Sequence, residues 1–226
     1  MSGEVAGKVC VVTGGSRGIG AAICALFADH GGKVINLDLD PPAIEAGIPF
    51  CRVDVTSEQE VVAVAQMIAR DHGGVDILVN NAVPMRLAYN AAKAAVISMT
   101  KVLAIEWAGY AIRVNAVAPG MIETEMLRKA IDDGDMDVDA YMDQLPMRRF
   151  GQPRDVAEAV LFLASARSSY VTGQVIVPDG GWTAFNWIPW SGDPEVPRQE
   201  RRDCQGPFGT QRQRPHATPG AAKTEA

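Results

Sequence analysis

Tyr89 and Lys93 are a pair of residues whose types and spacing could transfer a proton. They stand four residues apart within residues 87–107, which the sequence pattern predicts as one long helix, so both side chains fall on one helix face. A free tyrosine has a pKa near ~10, and a nearby lysine ammonium favours the phenolate and lowers that pKa. By itself such a pair is more often a surface pair, so its meaning depends on the elements around it.

A glycine-rich turn precedes this pair. Residues 13–20 have the sequence TGGSRGIG and lie between a β-branched run and a predicted helix. Glycines let the backbone turn tightly and approach a pyrophosphate, and the N-terminus of the helix offers N–H groups and positive dipole to phosphate. Asp38, at the end of the second predicted strand, could accept hydrogen bonds from a ribose diol. The alternative is a structural turn with a solvated aspartate.

Asp38 and Arg17 give opposite indications about the cofactor. A carboxylate at position 38 would repel a 2′-phosphate and favours NAD(H). Arg17 could pair with that phosphate and favours NADP(H). Asp38 carries more weight because it would lie directly at the ribose, so NAD is the predicted cofactor and NADP the second choice.

Strand-like and helix-like patterns alternate along the chain. The predicted strands are 9–13, 33–38, 50–53, 75–79, 112–117 and 174–177. The predicted helices are 21–30, one that starts after Thr56 or Ser57 and ends at Gly73, 87–107 and 155–164. Alternation of this kind predicts βαβ units and an α/β fold with a doubly wound parallel sheet, Rossmann-like in arrangement.

Further motifs follow the glycine turn in a fixed order. They are Asp54-Val55, Asn80-Asn81-Ala82, the Tyr89–Lys93 pair, Pro119-Gly120-Met121-Ile122-Glu123-Thr124 and the ending around Gly180-Gly181. With these motifs the chain resembles the short-chain dehydrogenase/reductase family from about residue 7 to residue 182. The resemblance implies an NAD(P)-dependent oxidoreductase that moves a hydride between nicotinamide and a secondary alcohol or ketone.

The resemblance also implies roles for single residues. Tyr89 would be the general acid/base, and Lys93 its partner and a ligand of the nicotinamide ribose. Asp54 and Val55 would contact the adenine, the Asn-Asn-Ala turn would support the cofactor and the central strand, and the Pro-Gly…Thr segment would hold the nicotinamide end. The residues implied to bind the cofactor are Gly14, Ser16, Arg17, Gly18, Ile19, Gly20, Asp38, Asp54, Val55, Asn81, Ala82, Tyr89, Lys93, Pro119, Gly120, Ile122 and Thr124.

The spacing before Tyr89 departs from the family pattern. Family members place a helix and a strand between the Asn-Asn-Ala turn and the catalytic tyrosine, whereas here only residues 83–88 intervene. The missing unit normally supplies an asparagine of the proton relay and the catalytic serine. No serine lies between Asn80 and Tyr89, and Ser98, nine residues later, would be about 13 Å along the helix axis.

Two structures could accommodate the missing unit. In one, the sheet closes up and strand 112–117 pairs beside strand 75–79, which would shift Tyr89 by about one strand spacing, ~4.8 Å. In the other, the original positions persist, and the short linker, which can reach roughly 25 Å when extended, bridges a groove with unpaired strand edges. The cost of unpaired edges favours closing up.

Composition sets limits on the class of protein. The formal charge of −6 argues against a general binder of nucleic acid or anionic membranes. The four cysteines do not have CxxC spacing, Cys10 and Cys51 are predicted core residues, and the acidic stretch 132–137 is expected to be solvated, so no metal is predicted. Residues 1–8 lack the apolar core of a secretory signal and no run could span a bilayer, which predicts a cytoplasmic protein.

The predicted domain is residues 1–185, followed by a disordered tail, residues 186–226, rich in Pro, Gln, Arg and Gly. A basic ligand-binding tail is the alternative. Residues 121–150 fit the family's variable substrate loop, with an apolar lining suggested by Met126, Leu127, Met142, Leu145 and Met147. The resemblance allows a homo-oligomer, although one helix of the usual tetramer interface is missing, which puts that tetramer in doubt.

Two functions remain open at this point. The first is an NAD(H)-preferring oxidoreductase acting on a small-molecule alcohol or ketone, impaired by the loss of the serine segment. The second is a catalytically silent nucleotide-binding or interaction protein, such as the product of a deleted or alternatively spliced dehydrogenase gene.

Overall fold

The run VCVVT forms a strand that is buried on both faces, because its side chains alternate between two packed layers of helices. A computed structural model describes residues 3–43, 47–81 and 89–184, with only the backbone described for residues 89–94. The predicted tail, residues 186–226, and the linker 83–88 lie outside the described residues.

The strands and helices alternate in the predicted order. The strands are β1 (Val9–Thr13), β2 (Lys33–Asp38), β3 (Phe50–Arg52), β4 (Ile77–Asn80), β5 (Ala116–Val117) and β6 (Val175–Ile176). The α-helices are α1 (Gly18–Asp29), α2 (Glu58–His72), α3 (Tyr89–Glu106), α4 (Glu125–Asp132), α5 (Val138–Gln144) and α6 (Pro153–Ala164). Short 3₁₀ helices occupy Ala108–Tyr110 and Ala166–Ser168. None of the described helices has the length and apolar character needed to cross a bilayer.

The main sheet is parallel, with strand order β3-β2-β1-β4. On one face, Cys10 and Val12 of β1 pack with Phe27 of α1 and Leu161 of α6. On the other face, Val9 and Val11 of β1 pack with residues of α2 that include Val64 and Ile68. Helices therefore cover both faces of the sheet, and the predicted doubly wound α/β fold is confirmed.

Cys10 and Cys24 belong to this core as free thiols. Burial raises the pKa of Cys10 to about 11 and that of Cys24 to about 12. Cys51 is half-buried and packs against the opposite core layer. The prediction that Cys10 and Cys51 are packing residues is consistent with these positions.

The expectation that β5 would close up against β4 is wrong. Among the described residues β4 pairs with β1 alone, and β5 pairs with β6 in a separate two-stranded sheet. Arg113 explains why, because its guanidinium donates to the carbonyl of Leu163 in the last turn of α6, at 2.7 Å, and to those of Ser165 and Val171 after the helix, at 3.3 and 3.2 Å. Since α6 is itself packed on α1, moving β5 beside β4 would break these contacts.

The two strands of this second sheet are also shorter than the patterns 112–117 and 174–177 predict. Two of their backbone N–H groups donate to side chains instead of a neighbouring strand. The Val114 N–H donates to Thr172 Oγ1 at 3.1 Å, and the Gln174 N–H donates to Asn115 Oδ1 at 3.1 Å. Side-chain partners of this kind satisfy the backbone without extending the ladder.

The missing unit leaves apolar side chains on the elements that would flank it. Leu78 on β4 is 57% exposed and Ile105 on α3 is 79% exposed. Val96, Met99 and Val102 of α3 are also exposed. An extra strand and helix normally cover such residues in a doubly wound fold, so their exposure is consistent with an α/β fold that lacks one helix–strand unit.

Asp76 connects the start of β1 to the start of β4. Its carboxylate accepts hydrogen bonds from the Val9 N–H at 2.8 Å and the Lys8 ammonium at 3.1 Å. These bonds, with the Val9 N–H contributing most, hold the pKa of Asp76 below its usual value. Because the folded pKa is depressed, the stabilisation is present above the unfolded pKa of ~3.9 and is lost as pH falls through the folded pKa.

Replacing Asp76 with asparagine should therefore destabilise the protein at neutral pH and not in acid. We expect the free energy of unfolding to fall by about 0.5–1 kcal/mol at pH 7, a modest value because solvent screens this partly exposed side chain. Urea unfolding of both proteins over a descending pH series measures the difference. A difference that stays constant into acid would show that the charge of Asp76 is not responsible.

Candidate functional site

The glycine turn joins β1 to α1 at the carboxyl end of the main sheet. Gly14 and Gly18 have positive φ angles of 65° and 54°, a region that side chains disfavour. A Cβ at Gly20 would overlap the carbonyl oxygen of Gly14 and lie 2.7 Å from Asn81 Nδ2. Ile19 packs against the adjoining core. The turn is therefore tight, and its glycines are required by contact as well as by conformation.

The N-terminus of α1 has no side-chain cap, because Arg17 occupies the N-cap position and arginine has no acceptor. By contrast, α2, α4 and α5 are capped by Ser57, Thr124 and Asp137. The first N–H groups of α1 thus point out of the helix beside the glycine turn, and the N-cap side chain does not accept them. This is the arrangement in which helix N-termini bind phosphate.

Asn81 connects the end of β4 to the glycine turn by two hydrogen bonds. Its backbone N–H donates to Thr13 Oγ1 at 3.0 Å, and its Nδ2 donates to the Gly14 carbonyl at 3.0 Å. The position of Asn81 agrees with the supporting role that the Asn-Asn-Ala motif implies. Ala82 lies outside the described residues.

Asp38 ends β2 and faces the turn. Its Oδ2 accepts the Ser16 N–H at 3.0 Å, and its Oδ1 accepts the Leu39 N–H at 2.7 Å. The carboxylate is half-buried and is oriented by these backbone donors. Asp38 is thus held beside the glycine turn, where the sequence predicted it.

A second acidic residue, Asp40, was missed by the sequence reasoning. Its carboxylate pairs with the Arg17 guanidinium at 2.6 Å, and its carbonyl accepts from Ser16 Oγ at 2.7 Å. Asn36 Nδ2 in turn donates to Ser16 Oγ at 3.0 Å. Two signals were available in the sequence: an amide within an otherwise apolar strand, and an aspartate two residues beyond Asp38.

Asp54 and Val55 follow β3 at the same edge of the sheet. Asp54 Oδ1 accepts the Thr56 N–H at 2.9 Å and the Thr56 hydroxyl at 2.7 Å, and these bonds lower the pKa of Asp54. Val55 is partly exposed. The Asp54 carboxylate thus stabilises the turn formed by residues 54–56, and the exposed Val55 side chain lies within that turn.

The segment from Pro119 to Thr124 follows β5 and returns to the glycine turn. A Cβ at Gly18 would lie 3.4 Å from Thr124 Cγ2, so the two segments meet there. Gly120 packs so closely against the backbone of Asp179 that a Cβ would lie 2.8 Å from its Cα. The side chain of Ile122 is buried, so it is a packing residue. The backbone of Ile122 forms a β-bridge to Gly151.

Tyr89 and Lys93 lie in the first turns of α3, four residues apart. Their side chains lie outside the described residues, so the Tyr–Lys contact stays a prediction. Ser98 follows on the same helix. The proposed substrate loop contains α4 and α5. In it Leu127 and Leu145 are buried in a local core with Phe150, whereas Met126 and Met147 are exposed.

Comparison with known proteins gives two adjoining matches to family models. The model described as short chain dehydrogenase matches residues 8–86, and the model described as Enoyl-(Acyl carrier protein) reductase matches residues 81–183. The two matches meet at residues 81–86, where the helix–strand unit is missing.

Curated relatives and solved structures agree with these matches. The chain is 35% identical to the 3-oxoacyl-(acyl-carrier-protein) reductase FabG of Thermotoga maritima over 243 residues, covering 77% of this chain and 97% of the relative. It is 32% identical to galactitol 2-dehydrogenase (L-tagatose-forming) of Cereibacter sphaeroides, covering 79% and 96%. The ligand-free aldohexose dehydrogenase of Thermoplasma acidophilum superposes with a TM-score of 0.74 at 30% identity, covering 80% and 96%.

The FabG alignment also shows how many of its positions this chain lacks in total. It spans 243 positions but uses 77% of the 226 residues here, about 174, so about 69 positions of the alignment have no counterpart in this chain. The matches extend on both sides of that gap in the family order. The chain belongs to the short-chain dehydrogenase/reductase family, whose oxidoreductases use NAD(P), and it lacks an internal segment that its relatives contain.

Proposed function

We propose that this protein is an NAD(H)-dependent oxidoreductase that interconverts a secondary alcohol and a ketone, with turnover reduced by the missing segment. The observation that carries the proposal is the uncapped N-terminus of α1 at a glycine turn in which Gly15 and Gly20 have no room for a Cβ. The pyrophosphate of a dinucleotide fits such a turn because it needs close backbone approach and N–H donors.

The preference for NAD(H) is supported by the position of Asp38. Its carboxylate lies at the end of β2 and takes the Ser16 N–H. A ribose diol can donate hydrogen bonds to this carboxylate, whereas a 2′-phosphate would meet a like charge. NAD(H) is therefore the proposed cofactor, bound by the residues of the glycine turn with Asp38, Asp54, Val55, Asn81 and the 119–124 segment.

The chemistry proposed for the chain's own residues rests on Tyr89 and Lys93. Tyr89 would hold or release the proton at the substrate oxygen, and the Lys93 ammonium would favour the phenolate and bind the nicotinamide ribose. When bound, the nicotinamide supplies or accepts the hydride at the substrate carbon. Asn81 would keep the turn in place by its bonds to Thr13 and Gly14.

Loss of the serine would lower the rate and leave nucleotide binding intact. The residues proposed to hold the adenine end lie at the end of β2 or directly after β1, β3 and β4, and these four strands pair without the missing unit. The serine would provide a hydrogen-bond donor to the substrate oxygen. Removing one such donor from an oxyanion-type site typically lowers kcat by about 10²–10³.

A second candidate is a protein that binds the nucleotide without turnover. The strand pairing that contradicts the predicted β4–β5 contact also favours this candidate. β5 pairs with β6, and among the described residues no strand lies beside the free edge of β4. An edge left open in this way also suits an interaction protein. Homo-oligomerisation and a cytoplasmic location stay predictions for either candidate.

Turnover measurements separate the two candidates. The purified chain is assayed with NAD⁺ against secondary alcohols and with NADH against ketones, beside its Tyr89→Phe variant. We expect slow turnover that falls by at least about 100-fold in the variant, the scale of a lost general acid/base. Saturable NADH binding with no turnover in either protein would select the silent nucleotide-binding protein.

A further inference from the structure

We propose that Asp40 is a second determinant of cofactor choice, which acts by neutralising Arg17. This inference rests on the proposed function, because it concerns which nucleotide the same site prefers. Asp38 alone would explain repulsion of a 2′-phosphate, but it would leave the Arg17 guanidinium available to attract one.

The two donors that could receive a 2′-phosphate are adjacent in the chain. They are the backbone N–H of Ser16 and the guanidinium of Arg17. Each is held by its own carboxylate: Asp38 Oδ2 accepts the Ser16 N–H at 3.0 Å, and Asp40 Oδ2 pairs with Arg17 Nη2 at 2.6 Å. Asp40, in the loop after β2, therefore neutralises the Arg17 guanidinium, and Asp38, at the end of β2, occupies the Ser16 N–H.

Two linked hydrogen bonds, one part-buried and one buried, hold Asp40 in this position. The Asp40 carbonyl accepts from Ser16 Oγ at 2.7 Å, and Ser16 Oγ accepts from Asn36 Nδ2 at 3.0 Å. Ser16 and Asn36 are both buried. The backbone of residue 40 is thus connected to the residue that precedes Arg17, so the two side chains of the ion pair start from backbone positions that are held close together.

Solvent exposure sets the size of the effect. The side chains of Arg17 and Asp40 are 59% and 65% exposed, so water and salt weaken their attraction. Removing the Asp40 charge should therefore shift the ratio of NADP⁺ to NAD⁺ dissociation constants by about twofold to fivefold in favour of NADP⁺, the range of an exposed ion pair.

Calorimetric titration of the full chain with NAD⁺ and with NADP⁺ tests the inference, because the two nucleotides differ only in the 2′-phosphate. The variants are Asp40→Asn, Arg17→Met and the double variant. Asp71→Asn is the matched control, because Asp71 also pairs with an arginine, Arg70, at 2.7 Å. Asp71 is in the last turn of α2, which leads toward the start of β4 at the opposite edge of the sheet.

We expect Asp40→Asn to shift the ratio with Arg17 present and to leave it unchanged in the Arg17→Met background, while Asp71→Asn has little effect. An unchanged ratio in Asp40→Asn, or an equal shift with and without Arg17, would overturn the role of Asp40. Parent protein that binds neither nucleotide would overturn the proposed function itself, an outcome distinct from NAD⁺ binding with an unshifted ratio.

Discussion

Replacing Gly20 with alanine should abolish NAD(H) binding and lower the free energy of unfolding by at least about 2 kcal/mol. The added Cβ would overlap the Gly14 carbonyl oxygen and approach Asn81 Nδ2 to 2.7 Å. The first contact is with backbone, so no rotamer change can relieve it. The turn would have to open, which moves the N-terminus of α1 away from the phosphate position and breaks the Asn81–Gly14 hydrogen bond.

Gly109→Ala is the matched control for this substitution. Gly109 lies in the 3₁₀ helix Ala108–Tyr110, and a Cβ built there meets no atom within 4 Å. We expect its unfolding free energy to stay within about 0.5 kcal/mol of the parent and its nucleotide affinity to be unchanged. Urea unfolding and calorimetry measure both quantities, and a Gly20→Ala protein with parental affinity would show that the turn is not the nucleotide site.

Grafting the helix–strand unit of a relative, with its serine, between Val83 and Tyr89 should raise kcat by about 10²–10³. The physical reason is that the graft would supply the missing donor to the substrate oxygen and a strand for the open edge of β4. It need not displace β5, because the Arg113 guanidinium already donates to carbonyls at the C-terminal end of α6. The FabG unit is a suitable choice because the alignment covers 97% of that relative.

Two control proteins identify the source of any gain from the graft. The same graft with its serine replaced by alanine should return kcat to near the parental value. Tyr89→Phe in the grafted protein should remove the restored turnover. Steady-state kinetics with the same alcohol and ketone panel supplies the measurement. A graft that folds and binds NADH but leaves kcat unchanged would show that the serine segment is not what limits the parent.

The parts of the site that the sequence predicted are local in the chain. The glycine turn joins two adjacent elements, and Asp38 follows from the length of β2, so strand and helix patterns were enough to locate them. Burial on both faces of β1 also follows from its β-branched run. The positive φ angles of Gly14 and Gly18 are the conformational reason that the motif requires glycine.

The parts that the sequence did not predict depend on contacts between distant residues. Pairing of β5 with β6 instead of β4 follows from Arg113, whose partners Leu163, Ser165 and Val171 are about fifty residues or more away along the chain. The role of Asp40 was not predicted because its partner, Arg17, precedes it by 23 residues. Charge and spacing in the sequence alone do not indicate with which carboxylate an arginine forms an ion pair.

A fluorescence titration of the full chain with NADH decides whether the four-strand sheet can bind the cofactor without the missing unit. We predict saturable binding that NAD⁺ competes with more effectively than NADP⁺, and that disappears in Gly20→Ala while persisting in Gly109→Ala. Absence of saturable binding, or binding that survives Gly20→Ala unchanged, would contradict a nucleotide site at the glycine turn.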